Sequence, residues 1–191
     1  SLYQHRFYCG MKAEDGIVEL NKRFQRHDLG YSFEGGILIR IDSRFVHSEV
    51  VSPALQLLST VGFEGAQGEF LNAHEHYRHG RNEEAIGEAL KAFESTMKHI
   101  CDERSWTVPG NGTAKDLIKA VTENDLFPKS LESHINSLRT ILEGLPTVRN
   151  KNAGHGTGRE RRQVPDAMAA YALHLSAANI VFLVESFANL P

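Results

Sequence analysis

Cysteine is scarce in this chain of 191 residues: Cys9 and Cys101 are the only two, and they form no CxxC pair. Zinc ribbons and disulfide scaffolds are therefore excluded, and two free thiols in a reducing cytoplasm are expected. Long apolar runs are also lacking. The most apolar stretch, from Ala167 to Leu190, is interrupted by His174, Ser176, Asn179 and Glu185. It falls short of the ~20 uninterrupted apolar residues of a membrane span and reads as a buried core helix. The start, Ser-Leu-Tyr-Gln-His-Arg, has neither a Met nor the apolar core of a secretory signal, as expected of a trimmed chain or part of a longer protein. No internal repeat, low-complexity tract or strong excess of one charge is present. The net charge of −3 argues against general affinity for a polyanion.

Hydrophobic residues make up 41% and charged residues 24%, enough for a packed core in one domain or a domain with an extension. The charge is unevenly spread. Between Arg139 and Arg162 six cationic side chains face only Glu143 and Glu160, so a basic island stands on an otherwise acidic protein. Such an island suits local phosphate contact better than tracking along a long polymer. A solvated charged loop has the same composition.

Helical periodicity dominates the rest. Ile17, Leu20 and Phe24 form a stripe within residues 11–28. Tyr31-Ser32-Phe33 and Ile37 to Ile41, joined across Glu34-Gly35-Gly36, predict a β-hairpin that must lean on helices to be stable. From Ser43 the helical period returns with Phe45, Val50, Leu55 and Leu58 as apolar positions. Gly62 and Gly65 mark a boundary, giving an extension over 1–62 and a bundle over 63–191, although one continuous core is equally consistent. Helices are expected over 66–79, over 83–104 with Asn82 as N-cap, and over 114–125 behind a Thr113/Asp116 capping box. Two more are expected over 130–145 and after Pro165. The fold class is mainly α: an antiparallel helical bundle with a small N-terminal β-hairpin.

Between the last two helices lies Thr147-Val148-Arg149-Asn150-Lys151-Asn152-Ala153-Gly154-His155-Gly156-Thr157-Gly158. An Arg, a polar residue and then a His a few positions on resembles the signature of the HEPN superfamily, specifically its abortive-infection C-terminal type of bacterial defence and toxin-like proteins. The likeness covers about residues 66–190, and the stretch around Glu94 and Lys98 resembles the second helix of such domains. Arg40 and His47 satisfy the bare pattern too, but Arg40 sits in a predicted strand without a following polar residue.

The resemblance implies a metal-independent endoribonuclease, acting as an abortive-infection effector or toxin in the cytoplasm, with no cofactor. RNA supplies its own nucleophile, the 2′-OH, so a site need only move protons and stabilise the phosphorane. His155 titrates in the right range for proton transfer, and Arg149 holds its charge and grips two phosphate oxygens. Asn150 would orient the imidazole or bond the sugar. Glu94 and Lys98 would support the site or form a plain helix-surface ion pair. Lys151, Arg159, Arg161 and Arg162 would bind RNA. One Arg and one His make a thin site, and the resemblance implies a homodimer whose two motifs face one cleft. RNA, a second copy, and an antitoxin or N-terminal regulatory region are the expected partners. The alternative is a non-catalytic module that dimerises or holds RNA or nucleotide, with Arg149 and Asn150 merely capping a helix.

Other candidates fit their chemistries less well. His74, His76 and His79 suggest a metal, but on a helix His74 and His76 point roughly 200° apart, so surface histidines are expected. Gly110 to Lys115 fails the P-loop pattern. Asp42, Ser43 and His47 suggest a hydrolase triad without a nucleophile elbow.

Overall fold

The computed structural model describes residues 12–137, 140 and 164–191. Its elements run α1 (Ala13–Arg26), β1 (Tyr31–Glu34), β2 (Ile37–Arg40), α2 (Arg44–Val46), a π-turn (His47–Val51), α3 (Ser52–Leu58), α4 (Glu64–Arg78), α5 (Asn82–Glu103) and α6 (Ala114–Glu123). A 3₁₀ turn (Lys129–Leu131) leads into α7, described over 132–137, and α8 (Asp166–Ala188) follows. Among the described residues the chain is mainly helical with one antiparallel hairpin, as its periodicity predicts.

The hairpin pairs Tyr31 with Arg40 and Glu34 with Ile37. Both turn residues, Gly35 and Gly36, have positive φ (57° and 83°), which only glycine adopts freely. Two supports compensate for its small size. Ile39 is fully buried in the main core. Asn21 of α1 accepts a hydrogen bond from the Phe33 N–H at 2.7 Å and donates one to its carbonyl at 3.0 Å, behaving like a third strand at the β1 edge. The rest of α1 is less embedded. No residue of it is buried, and Ile17 and Leu20 remain exposed, so its apolar stripe is only lightly covered.

The bundle is organised around α5, which packs along α4 on one side and α8 on the other. Ile86, Phe93, Met97, Ile100 and Cys101 are buried along its length, and Leu90 is half-buried beside them. Burial pushes the Cys101 thiol up to about 11, which keeps it protonated and unreactive. α8 has the length and mean hydropathy (1.7) of a membrane-crossing helix, but half of that window is buried against the other helices, including Leu173, Ala177, Ile180 and Leu183. It is the apolar spine of the bundle. The N-terminal segment shares this core. Ile39, Val51, Ala54, Leu55 and Leu58 belong to the same cluster as Phe70, Phe93, Ile118 and Ile180.

Local signals behave as expected at α6, where Thr113 and Asp116 form the reciprocal capping box. One expectation needs correction. Asn82 does not cap α5; it is the first helical residue and turns its side chain toward α8 instead. Of the apolar positions after Ser43, Phe45 is 75% exposed, while Val51, Ala54, Leu55 and Leu58 are buried. The segment from Arg44 to Leu58 is also wound through a π-turn that no periodicity announced.

Candidate functional site

Arg149, Asn150, Lys151, His155, Arg159, Arg161 and Arg162 lie outside the described residues. Of the two residues expected to support them, Glu94 is half-buried and Lys98 exposed, one turn apart on α5. Among the described residues, the start of α8 carries a set of long-range contacts.

Two distant residues hold α8 there. Asn82 donates from Nδ2 to the Val164 carbonyl (2.7 Å) and to Asp166 Oδ1 (2.9 Å). Arg40, at the end of β2, donates from Nη1 to Asp166 Oδ2 at 2.9 Å. The same guanidinium reaches Asp42 from Nε at 3.0 Å and lies 4.8 Å above the Tyr77 ring. Asp42 also accepts a hydrogen bond from the Tyr77 hydroxyl. Asn82 and then Arg40 hold the Asp166 carboxyl below the usual carboxylate range. Burial, reinforced by the Asp42 charge, raises the Tyr77 hydroxyl, so it remains a donor.

Next to this clamp lies a histidine cluster. His47 Nε2 sits 3.0 Å from Glu34 Oε1, close enough for an ion pair but off the line of a directed hydrogen bond. Ser32 donates to the same carboxylate at 2.6 Å. Burial acts to raise the Glu34 carboxyl, but His47 and Ser32 outweigh it and hold it low. His74 is buried at 3% exposure, edge-on to Phe70 at 4.8 Å between centroids, and burial lowers it to about 3. His174 of α8 is lowered by burial as well.

The expected surface histidines thus divide. His74 is core, whereas His76 accepts a hydrogen bond from Arg81 at 2.7 Å and His79 pairs with Glu75 at 3.0 Å. Among the described residues no group of His, Cys, Asp and Glu is gathered to hold a metal ion. The Asp42, Ser43 and His47 set does not assemble as a triad. The Ser43 hydroxyl accepts from the Val46 N–H as a helix cap, and Asp42 turns to Tyr77 and Arg40.

The clamp was missed in the sequence, yet one signal was there. Ala66, Phe70, His74 and Tyr77 fall on one stripe of α4, so His74 shares the face that enters the core. Nothing in the sequence joined Arg40 to Asp166.

A family model described as the Abi_C HEPN-like domain matches residues 64–187, from the first residue of α4 almost to the end of α8. No curated protein and no solved structure matches the chain. The match spans well over half of the sequence and coincides with the α4–α8 bundle, and the chain belongs to the HEPN-like Abi_C family.

Proposed function

We propose that the protein is a metal-independent endoribonuclease that acts as an abortive-infection effector or toxin. The observation that carries this reading is the family match over 64–187, a range that contains Arg149, Asn150 and His155 in the spacing of the HEPN signature. The basic island supports it by supplying phosphate-binding charge on an otherwise acidic chain.

In this mechanism the 2′-OH of a ribose attacks its own phosphodiester. His155 takes up and returns protons, and Arg149 neutralises the phosphorane through two N–H donors. Asn150 orients the imidazole, and Lys151, Arg159, Arg161 and Arg162 hold the flanking phosphates. Glu94 and Lys98 support the site from α5. The P–O5′ bond breaks, leaving a 2′,3′-cyclic phosphate and a free 5′-hydroxyl. A two-fold homodimer brings two such motifs to one cleft and doubles the proton-transfer groups available there.

The test is substitution. His155→Ala and Arg149→Ala are expected to lower RNA cleavage by at least about 10²-fold, as loss of a general acid–base or a phosphate clamp does. Circular dichroism and unfolding midpoints should stay at wild-type values. Either variant cutting RNA at the wild-type rate removes its residue from the mechanism.

A further inference from the structure

Where the N-terminal segment meets the bundle there is a small, partly open cavity of about 10 Å³, the size of one water. Its polar wall is built from three separate parts of the chain. Asp42 and His47 come from the segment after β2, His74 and Tyr77 from α4, and His174 from α8. Three imidazoles therefore surround one small space at the seam between the hairpin and the HEPN-like bundle.

We propose that this histidine cluster is an acid-sensitive clasp, which holds the hairpin and the α2–α3 segment on the bundle at neutral pH and releases them as the buried His74 and half-buried His174 rings gain protons.

The geometry explains why. Both ring nitrogens of His74 are buried without a hydrogen-bond partner in the protein. A neutral ring tolerates that position better than an imidazolium, which loses hydration there and meets no uncommitted carboxylate. The anions nearby are already engaged. Glu34, from β1, is held by Ser32 and His47, and Asp42 is held by Tyr77 and Arg40. The remaining titratable neighbours, His47 and His174, would add like charge.

His74, His174, Glu34 and Asp166 are all lowered in the closed state, and each favours opening as pH falls. His74 in the closed state is lowered to about 3 by burial, with His47 and His174 adding to it and Glu34 opposing weakly. Once the segment lifts, the ring is solvated and titrates near ~6.5. Opening is therefore unaffected by pH above that value and becomes progressively easier below it. Between pH 7.5 and 5.5 His74 alone raises the open population about ten-fold. Glu34 and Asp166, both held low in the closed state, also lose their stabilising contribution as pH falls through their folded values.

The experiment is amide hydrogen exchange on the full chain at pH 7.5 and 5.5, corrected for intrinsic rates. It compares the Phe33 and Ile41 amides, bonded to Asn21 and Gly30, with core amides of α5. The clasp predicts that hairpin protection falls about ten-fold between the two pH values, and that at each of them the hairpin amides exchange through an opening of lower free energy than the α5 amides, which need global unfolding. In His74→Phe the hairpin should keep its protection at pH 5.5. Should that variant fail to fold, His174→Gln, which alters the same cavity, is expected to shrink the acid response. Equal opening free energies for hairpin and α5 amides, no loss of hairpin protection in wild type, or an undiminished loss in the folded variant would each overturn the proposal.

Discussion

Arg40 and Asp166 stand 126 positions apart in the chain, yet Nη1 of one lies 2.9 Å from Oδ2 of the other. This contact ties the end of the hairpin to the first turn of α8, directly after the basic island in sequence. It is partly solvated, since the two side chains are 33% and 55% exposed. Its coupling in a double-mutant cycle of Arg40→Met and Asp166→Asn should therefore be modest, about 0.5–1 kcal/mol by urea unfolding. Zero coupling would mean the pair is incidental to the docking of the hairpin.

Burial separates two apolar residues of the N-terminal segment that composition cannot. Ile39 is fully buried and Phe45 is 75% exposed. Ile39→Ala should cost about 2–5 kcal/mol of unfolding free energy. Phe45→Ala should stay within about 0.5 kcal/mol of wild type. Equal costs in denaturant titration would contradict the way the segment packs.

Gly62 joins α3 to α4 with φ of +97°, and a side-chain carbon there would run into the His99 ring. That ring is itself set edge-on against Phe63 at 4.3 Å. Gly62→Ala therefore combines left-handed backbone strain with a steric clash, and a loss of about 2 kcal/mol or more is expected. A thermal midpoint equal to wild type would show that the turn relaxes freely.

Global stability should also depend on acid. His74 binds protons less readily folded (about 3) than unfolded (~6.5), so the unfolded chain takes up the extra proton. The contribution is unaffected above pH ~6.5, and stability declines below it by up to about 1.4 kcal/mol per pH unit. Unfolding free energies measured from pH 8 to 5 should bend downward near 6.5, and His74→Phe should flatten that bend. An identical profile in the variant would assign the acid sensitivity to other groups.

Local rules made much of this fold legible. The Gly35-Gly36 turn, the Thr113/Asp116 box and the apolar face of α5 each depend on residues within a few positions of one another, which a sequence displays directly. The errors fall where a distant partner decides. Asn82 has the composition of an N-cap, but the Val164 carbonyl and Asp166 claim its amide. His74 sits in a polar-looking run, but its helical stripe enters the core with Phe70 and Tyr77. The family was legible for another reason: the spacing of Arg149-Asn150 and His155 resembles the HEPN signature, and the family match over 64–187 bears out that membership.

The central claim is that Arg149 and His155 cut RNA without a metal. Purified wild-type protein and His155→Ala should be incubated with bulk cellular RNA in EDTA and the product ends analysed. Cleavage by wild type alone, leaving 2′,3′-cyclic phosphates, is the predicted result. Intact RNA with wild-type protein under these conditions, or equal cleavage by His155→Ala, would contradict it.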